Sequence, residues 1–137
     1  MSLFQVFDIA GSGMSAQSLR LNLTASNMAN ANTVAGSQEE AYKSRQAVFK
    51  AMMESSMAST GSAGVKSLGV VESQAEHEMQ YQPGHPLANE EGYVFTSNVN
   101  MVEEMANMIS ASRSYQSNIE MLNTSKSLLL QTLKMGQ

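Results

Sequence analysis

The sequence contains no cysteine, only two prolines and few charged residues. Without cysteine there is no disulfide framework, thiolate metal site or cysteine nucleophile. Eight Lys and Arg residues against twelve Asp and Glu leave a net charge of -4, so the basic surface that nucleic acid or anionic lipid would require is missing. No apolar run approaches the roughly 18 residues of a membrane span. Residues 1–10 lack a basic residue, so we do not expect a cleaved signal peptide.

Neutral polar residues take the place of the missing charge. Charged residues make up 15% of the 137, against roughly 25% in ordinary soluble domains. The chain instead carries 20 Ser, 10 Asn and 10 Gln. A surface with many neutral hydrogen-bonding groups and little charge repulsion favours packing against neighbouring molecules.

Two stretches near the ends of the chain carry apolar residues in heptad-like steps of four and three. The first runs from residue 3 to residue 28, and the second from residue 101 to residue 133. The second stretch contains no Gly or Pro, and as a helix it would be about 50 Å long. That length exceeds what an isolated globule of this size needs. We therefore expect two long helices, one that leads into the middle region and one that leads back out of it.

The region between the helices has the character of a small β-structure. Apolar and polar residues alternate between residues 75 and 82, which is the pattern of a half-buried strand. Further strands are predicted at residues 42–49, 65–71 and 92–95, and the Ser- and Gly-rich residues 52–64 are predicted to be a mobile loop. The predicted fold is α+β and mainly α, with long N- and C-terminal helices packed as an antiparallel coiled-coil hairpin around a small β-rich insertion. The division is residues 1–32, 33–97 and 98–137.

The predicted helices are apolar on more than one face. Leu128, Leu129 and Leu130 are consecutive, and Met121, Leu128 and Met135 form a second row at seven-residue spacing. A helix that is apolar on several faces is buried on several faces, and one hairpin cannot provide that. The predicted subunit-interface residues are Leu3, Phe7, Met14, Leu21, Met28, Met101, Met105, Met108, Tyr115, Ile119, Leu122, Leu128, Leu129 and Leu133.

Motifs that could carry chemistry are weak. Gly11 to Ala16 fits a GxGxxA dinucleotide fingerprint, but no acidic residue follows about 20 positions later and no further βαβ unit is present. His77 and His85 lack metal-ligand spacing. Three pairs of adjacent glutamates are interpreted as solvated charges, because neighbouring side chains diverge and cannot act together as a general acid and base. These pairs are Glu39–Glu40, Glu90–Glu91 and Glu103–Glu104. We therefore predict no catalytic, cofactor-binding or metal site, and a protein that is not an enzyme.

The segment from Gly13 to Thr33 closely resembles the N-terminal signature of the bacterial flagellar rod and hook family. Segments at residues 81–88 and 110–120 narrow the resemblance to the short proximal-rod members. Most members follow the signature Thr with Pro-Gly-Tyr, whereas Val-Ala-Gly follows here and the Tyr comes only at Tyr42, which leaves the path of residues 34–41 open. The residues that carry the family motif are Asn27, Ala29, Asn30, Thr33, Gly92 and Tyr93.

The resemblance implies a structural subunit of the proximal rod of the flagellar basal body. Such subunits polymerise through their terminal helices into a tubular drive shaft that surrounds the export channel and transmits torque. The implied partners are other copies of the chain, other rod proteins, the flagellar type III export apparatus and the membrane-ring base, without nucleic acid or direct membrane insertion. The implied location is the periplasmic rod, reached without cleavage of a signal peptide, and we expect the free monomer's ends to be largely disordered. A soluble coiled-coil adaptor that forms a small closed oligomer is the alternative.

Overall fold

The computed structural model describes residues 3–53 and 63–136. Two long helices lie at the two ends of the chain, and five strands lie between them. The elements are α1 (Leu3–Asn30), β1 (Val34–Ala35), β2 (Arg45–Met53), β3 (Ala63–Glu72), β4 (Met79–Tyr81), β5 (Tyr93–Thr96) and α2 (Met101–Met135).

The strands form two small antiparallel sheets. In the first sheet β5 lies between β1 and β4, with Ala35 and Met79 both paired with Phe95. The second sheet is the β2–β3 hairpin, in which a bulge follows Val48. Gly69, the partner of Val48, has a φ of 147°, a backbone conformation that glycine adopts more readily than other residues. The α+β class with two helices and antiparallel strands is therefore confirmed.

Two predicted segments differ in extent from what the structure contains. The strand expected over residues 75–82 is reduced to β4, because the carbonyls of Ser73 and Ala75 accept hydrogen bonds from the Asn98 side chain at 3.5 and 2.9 Å. The predicted loop at residues 52–64 begins and ends inside β2 and β3. Its central residues, 54–62, lie outside the described residues.

The helices run antiparallel and contact each other. Asn27 near the end of α1 contacts Glu104 near the start of α2, while Gly13 lies against Asn118. The start of α2 is well capped, since the Asn100 side chain accepts hydrogen bonds from the backbone N–H groups of Val102 and Glu103. Such a cap satisfies donors that the first turn leaves free. At the other junction the carbonyl of Asn30, which ends α1, accepts hydrogen bonds from the Thr33 backbone and hydroxyl groups.

Small and polar side chains fill the centre of the described fold. The buried apolar residues are Ala10, Ala16, Ala35, Ala41, Val94 and Ala111. The buried polar residues are Thr24, Asn27, Ser44, Ser97 and Glu104. Because burial of an alanine removes little apolar surface from water, this core contributes far less stability than one built from Leu, Ile and Phe.

The face of α2 that is turned away from solvent keeps the heptad spacing but differs from the predicted seam. It comprises Glu104, Met108, Ala111, Tyr115, Asn118, Leu122, Ser125 and Leu129. Met105 and Leu133, which were expected in the seam, are 50% and 62% exposed. The hydrogen bond from Asn27 turns Glu104 towards α1 in place of Met105. Leu133 lies fifteen residues after Asn118, whereas the described part of α1 extends only ten residues before Gly13, which faces Asn118.

Leucine substitutions at the two glycines of α1 test the close approach. Gly11 faces open space, and a side chain there meets nothing within 4 Å, so Gly11→Leu should stabilise the chain by about 0.5–1 kcal/mol through helix propensity. Gly13→Leu should instead destabilise it by about 1–3 kcal/mol because the added atoms overlap α2. Thermal unfolding followed by far-UV circular dichroism measures both. Equal melting temperatures for the two variants would contradict the described packing.

Candidate assembly surface and the Asn27 junction

The side chain of Asn27 joins three parts of the fold and is 1% exposed. Its Nδ2 group donates to Glu104 Oε1 on α2 and to the carbonyl oxygen of Arg45 on β2, each at 2.9 Å. Its Oδ1 atom accepts from the backbone N–H of Arg45 at 2.9 Å and from the Tyr42 hydroxyl at 3.0 Å. One amide thus connects α1, α2 and the base of the hairpin, and we call this cluster the Asn27 junction.

Residues close to Asn27 extend the junction to the first sheet, which contains β5. Ser44 Oγ accepts a longer hydrogen bond from Asn27 Nδ2, at 3.3 Å. The backbone N–H of Ser44 donates to Asn98 Oδ1 at 2.7 Å. Asn98 comes directly after the strand β5 and the buried Ser97, whose hydroxyl donates to the Ala31 carbonyl at 2.7 Å. The segment that leaves α1 is therefore held to the segment that enters α2.

Glu104 brings a carboxylate into the junction. It is 6% exposed, and within residues 3–53 and 63–136 it forms no ion pair. A buried carboxylate is costly unless it is hydrogen-bonded, so the hydrogen bond from Asn27 is important to both residues. The interpretation of Glu103 and Glu104 as solvated charges is correct for exposed Glu103 and wrong for Glu104. The sequence signal was Glu104's place in the heptad that contains Met108 and Ala111.

The side chain of Arg45 lies at the base of the hairpin, beside the junction. Its Nε atom lies 3.4 Å from Glu72 Oε1, across the strand pair that joins these residues. Its guanidinium carbon lies 5.7 Å from the centre of the Tyr42 ring. Both charged side chains are about half exposed, so the ion pair adds little stability. The pair joins the two strands where the hairpin begins and ends.

The remaining motif residues occupy chain reversals rather than one site. Asn30 donates from its side chain to the Ser26 carbonyl at 2.8 Å, and Ala29 is exposed. Gly92 has a φ of 84° and is so closely packed that a Cβ atom would lie 3.0 Å from the Tyr81 ring. Tyr93 meets Tyr81 edge to face at 5.2 Å. The turn before β5 therefore needs glycine.

Large apolar side chains cover the outside of α2. Met121, Leu128 and Met135 are 46%, 56% and 80% exposed; we call these three residues the outer row. Leu130 and Leu133 are also 49% and 62% exposed. The outer row follows the seven-residue spacing read from the sequence, and nothing in the described part of the chain covers it.

The structure separates the predicted interface residues into two groups. Met105, Leu128 and Leu133 are exposed, and the side chain of Leu3 lies outside what the structure describes. The others are partly buried, and they are Phe7, Met14, Leu21, Met28, Met101, Met108, Tyr115, Ile119, Leu122 and Leu129. The partly buried side chains pack within the chain, whereas the exposed side chains are accessible to other molecules.

The histidines are engaged in local hydrogen bonds. His77 Nδ1 donates to the Thr96 carbonyl at 2.9 Å, and His85 Nδ1 accepts from the backbone N–H of Leu87 at 3.1 Å. In the described ranges no three His, Asp or Glu side chains converge as a metal site would require. Neither of the two described helices has the length and apolar character needed to cross a membrane.

Comparison with known proteins identifies two family models in the chain. Residues 7–36 match the family described as flagella basal body rod protein. Residues 90–135 match the family described as flagellar basal body rod FlgEFG protein C-terminal. The matches contain most of α1 and all of α2, which are the helices that the Asn27 junction joins.

Curated relatives match from end to end. The flagellar basal-body rod protein FlgC of Salmonella typhimurium is 53% identical over 137 residues, with 100% of both chains covered. The FlgC protein of Escherichia coli O157:H7 is 52% identical with the same coverage. The FlgC protein of Bacillus subtilis is 30% identical over 150 aligned positions, again with both chains fully covered.

Substitutions at Asn27 test the junction. Asn27→Ala should lower the free energy of unfolding by about 3 kcal/mol or more, because it leaves the Arg45 N–H and the Glu104 carboxylate buried without their partner. Asn27→Asp should be at least as harmful, since it sets a second carboxylate against Glu104. Urea unfolding at pH 7 measures these changes.

Asn22→Ala is the matched control, because Asn22 is exposed on α1 and its replacement should change stability by less than about 0.5 kcal/mol. Asn27 variants as stable as the Asn22 variant would show that the junction has no structural importance.

Proposed function

Since the chain belongs to the FlgC family of flagellar basal-body rod proteins and is a structural subunit of the proximal rod, we propose that its terminal helices form the contacts that build the rod. The observation that carries this proposal is the exposed outer row on α2. Large apolar side chains exposed along one side of a helix mark a surface that another protein covers. In the basal body, neighbouring rod proteins would cover this surface.

The energetics favour assembly over an isolated hairpin. The outer-row side chains are between 46% and 80% exposed, so covering them contributes about 1–2 kcal/mol per residue. A helical array repeats that contribution at every subunit. Head-to-tail contacts that do not close into a ring produce an open helical assembly, which is the form a rod requires.

We further propose that the helices pack in the manner of a coiled coil. The half-buried face of α2 follows alternating steps of three and four residues, which is the coiled-coil spacing. Residues 1–32 and 98–137 would be the axial helices, and residues 33–97 the insertion that contacts adjoining subunits. Densely interdigitated helices resist shear, and torque transmission requires that resistance.

The proposal extends to the route and the partners of the subunit. Other copies, other rod proteins, the export apparatus and the membrane-ring base are its partners, and the periplasm is where it assembles after export without signal cleavage. The ends of α1 and α2 fold fully on docking, which suits passage through a narrow channel. The exposure of every described residue after Leu129 supports this coupling. The relatives give no support to the adaptor alternative, and their rod names support a subunit without catalytic activity.

Leu128→Asp tests the outer row directly. Leu128 is 56% exposed, so the change should leave the melting temperature of the free chain almost unaltered. In the rod the new carboxylate would be buried without a partner, so incorporation into basal bodies and swimming should be lost. The test uses a strain in which the chromosomal gene is deleted and the variant is supplied on a plasmid.

Two controls accompany this variant. Leu128→Met keeps an adaptable apolar side chain, so the strain that carries it should swim. Asn123→Asp adds the same charge at an exposed polar position of α2, and its strain should also swim. Normal swimming of the Leu128→Asp strain would contradict the proposed helix contacts.

A further inference from the structure

The β2–β3 hairpin carries two lysines in direct opposition. Lys50 and Lys66 are cross-strand partners, and both are exposed. Like charges directly opposite each other destabilise a strand pair. Within residues 3–53 and 63–136 the one ion pair is Arg45–Glu72, so neither lysine is neutralised by a described residue. The pair therefore slightly destabilises the hairpin of the folded monomer.

Apolar side chains surround the lysines. Residues two apart on a strand share a face, so Val48 and Met52 lie on the same side of β2 as Lys50. They are 37% and 52% exposed. We call Val48, Lys50, Met52 and Lys66 the lysine face. An exposed face that combines apolar side chains with concentrated positive charge fits an acidic protein surface that also has apolar groups.

The same chain carries such a surface on its other sheet. Glu76 and Glu78 are exposed, and they flank His77, whose ring is turned inward to the Thr96 carbonyl. Met79 follows them and is 64% exposed. Neither glutamate forms an ion pair with a described residue. The two carboxylates are therefore two positions apart on an exposed segment that leads into β4.

The two surfaces form no ion pair with each other among the described residues of one subunit. Among the described elements, the hairpin packs on α1 and makes no contact with the sheet of β1, β5 and β4. Their separation on one molecule and their complementary charge are what a head-to-tail contact between copies requires.

We propose that the lysine face of one subunit docks on Glu76 and Glu78 of a second copy of this chain in the rod. This inference rests on the proposed function and adds a contact that lies outside the helices. It makes the hairpin a bridge between neighbouring copies. The contact converts the lysine repulsion of the monomer into a pair of intermolecular ion pairs on assembly.

A charge swap in the deletion strain tests the proposal. The double variant Lys50→Glu/Lys66→Glu opposes four carboxylates at the contact, and Glu76→Lys/Glu78→Lys opposes four ammonium groups. Each should reduce incorporation into isolated basal bodies by about tenfold or more, because like charges at an interface are strongly unfavourable. Co-expression of the two variants restores complementarity at every contact between alternating copies, and incorporation should return.

The single variant Lys50→Glu separates docking from folding. It places opposite charges across the strand pair, which should stabilise the hairpin, while removing one of the two docking cations. A melting temperature at or above that of the unaltered chain, with reduced incorporation, supports the proposal. Thermal unfolding of the double variants checks that they fold.

The outcomes distinguish this contact from the proposed function. Charge-reversed variants that incorporate normally, or a mixture that incorporates no better than either variant alone, would overturn the docking proposal while leaving the helix contacts intact. Restored incorporation of the co-expressed charge-reversed variants, together with loss of incorporation by Leu128→Asp, supports both the docking contact and the helix contacts.

Discussion

Close approach of the two terminal helices is the constraint from which the other features follow. At Gly13 a single added carbon would lie 3.0 Å from the Asn118 side chain, so the space between α1 and α2 suits small or hydrogen-bonded residues. Ala111, Asn118 and Glu104 occupy α2 positions where a conventional coiled coil would hold leucine or isoleucine. Hydrogen bonding therefore replaces apolar burial as the specific link between the helices. The Asn27 junction is its centre, because one amide is bonded to both helices and to the hairpin.

Large apolar side chains also lie outside the contact between the helices. Met121, Leu128 and Met135 lie along the side of the inward face of α2, at 46%, 56% and 80% exposure. A polar seam gives the subunit a defined shape, since the donors and acceptors of the junction match in one arrangement. The apolar exterior gives the subunit a tendency to associate. A structural subunit of a rod needs both properties, because its shape sets the geometry of the array and its exterior holds the array together.

Heptad periodicity was sufficient to predict both helices, their pairing and the outer row, because apolar spacing reports directly on helix faces. Periodicity did not identify which of two adjacent stripes faces α1. The apolar spacing favoured Met105 over Glu104. The buried carboxylate of Glu104 is stabilised by a hydrogen bond from Asn27, a residue distant in the sequence, and the spacing carries no information about that partner. The resemblance singled out Asn27 without giving its partners. The short β4 strand was overestimated because the Asn98 side chain competes for the carbonyls of the preceding segment, a contact between residues more than 20 positions apart.

The central claim is that the outer row is exposed in the free subunit and covered in the rod. Oxidation by hydrogen peroxide, read by mass spectrometry, reports the accessibility of methionine sulfur, and Met121 and Met135 are natural probes. Both should form sulfoxide readily in the purified chain and should be strongly protected in isolated basal bodies. Equal oxidation of these two methionines in the free chain and in basal bodies would contradict the account.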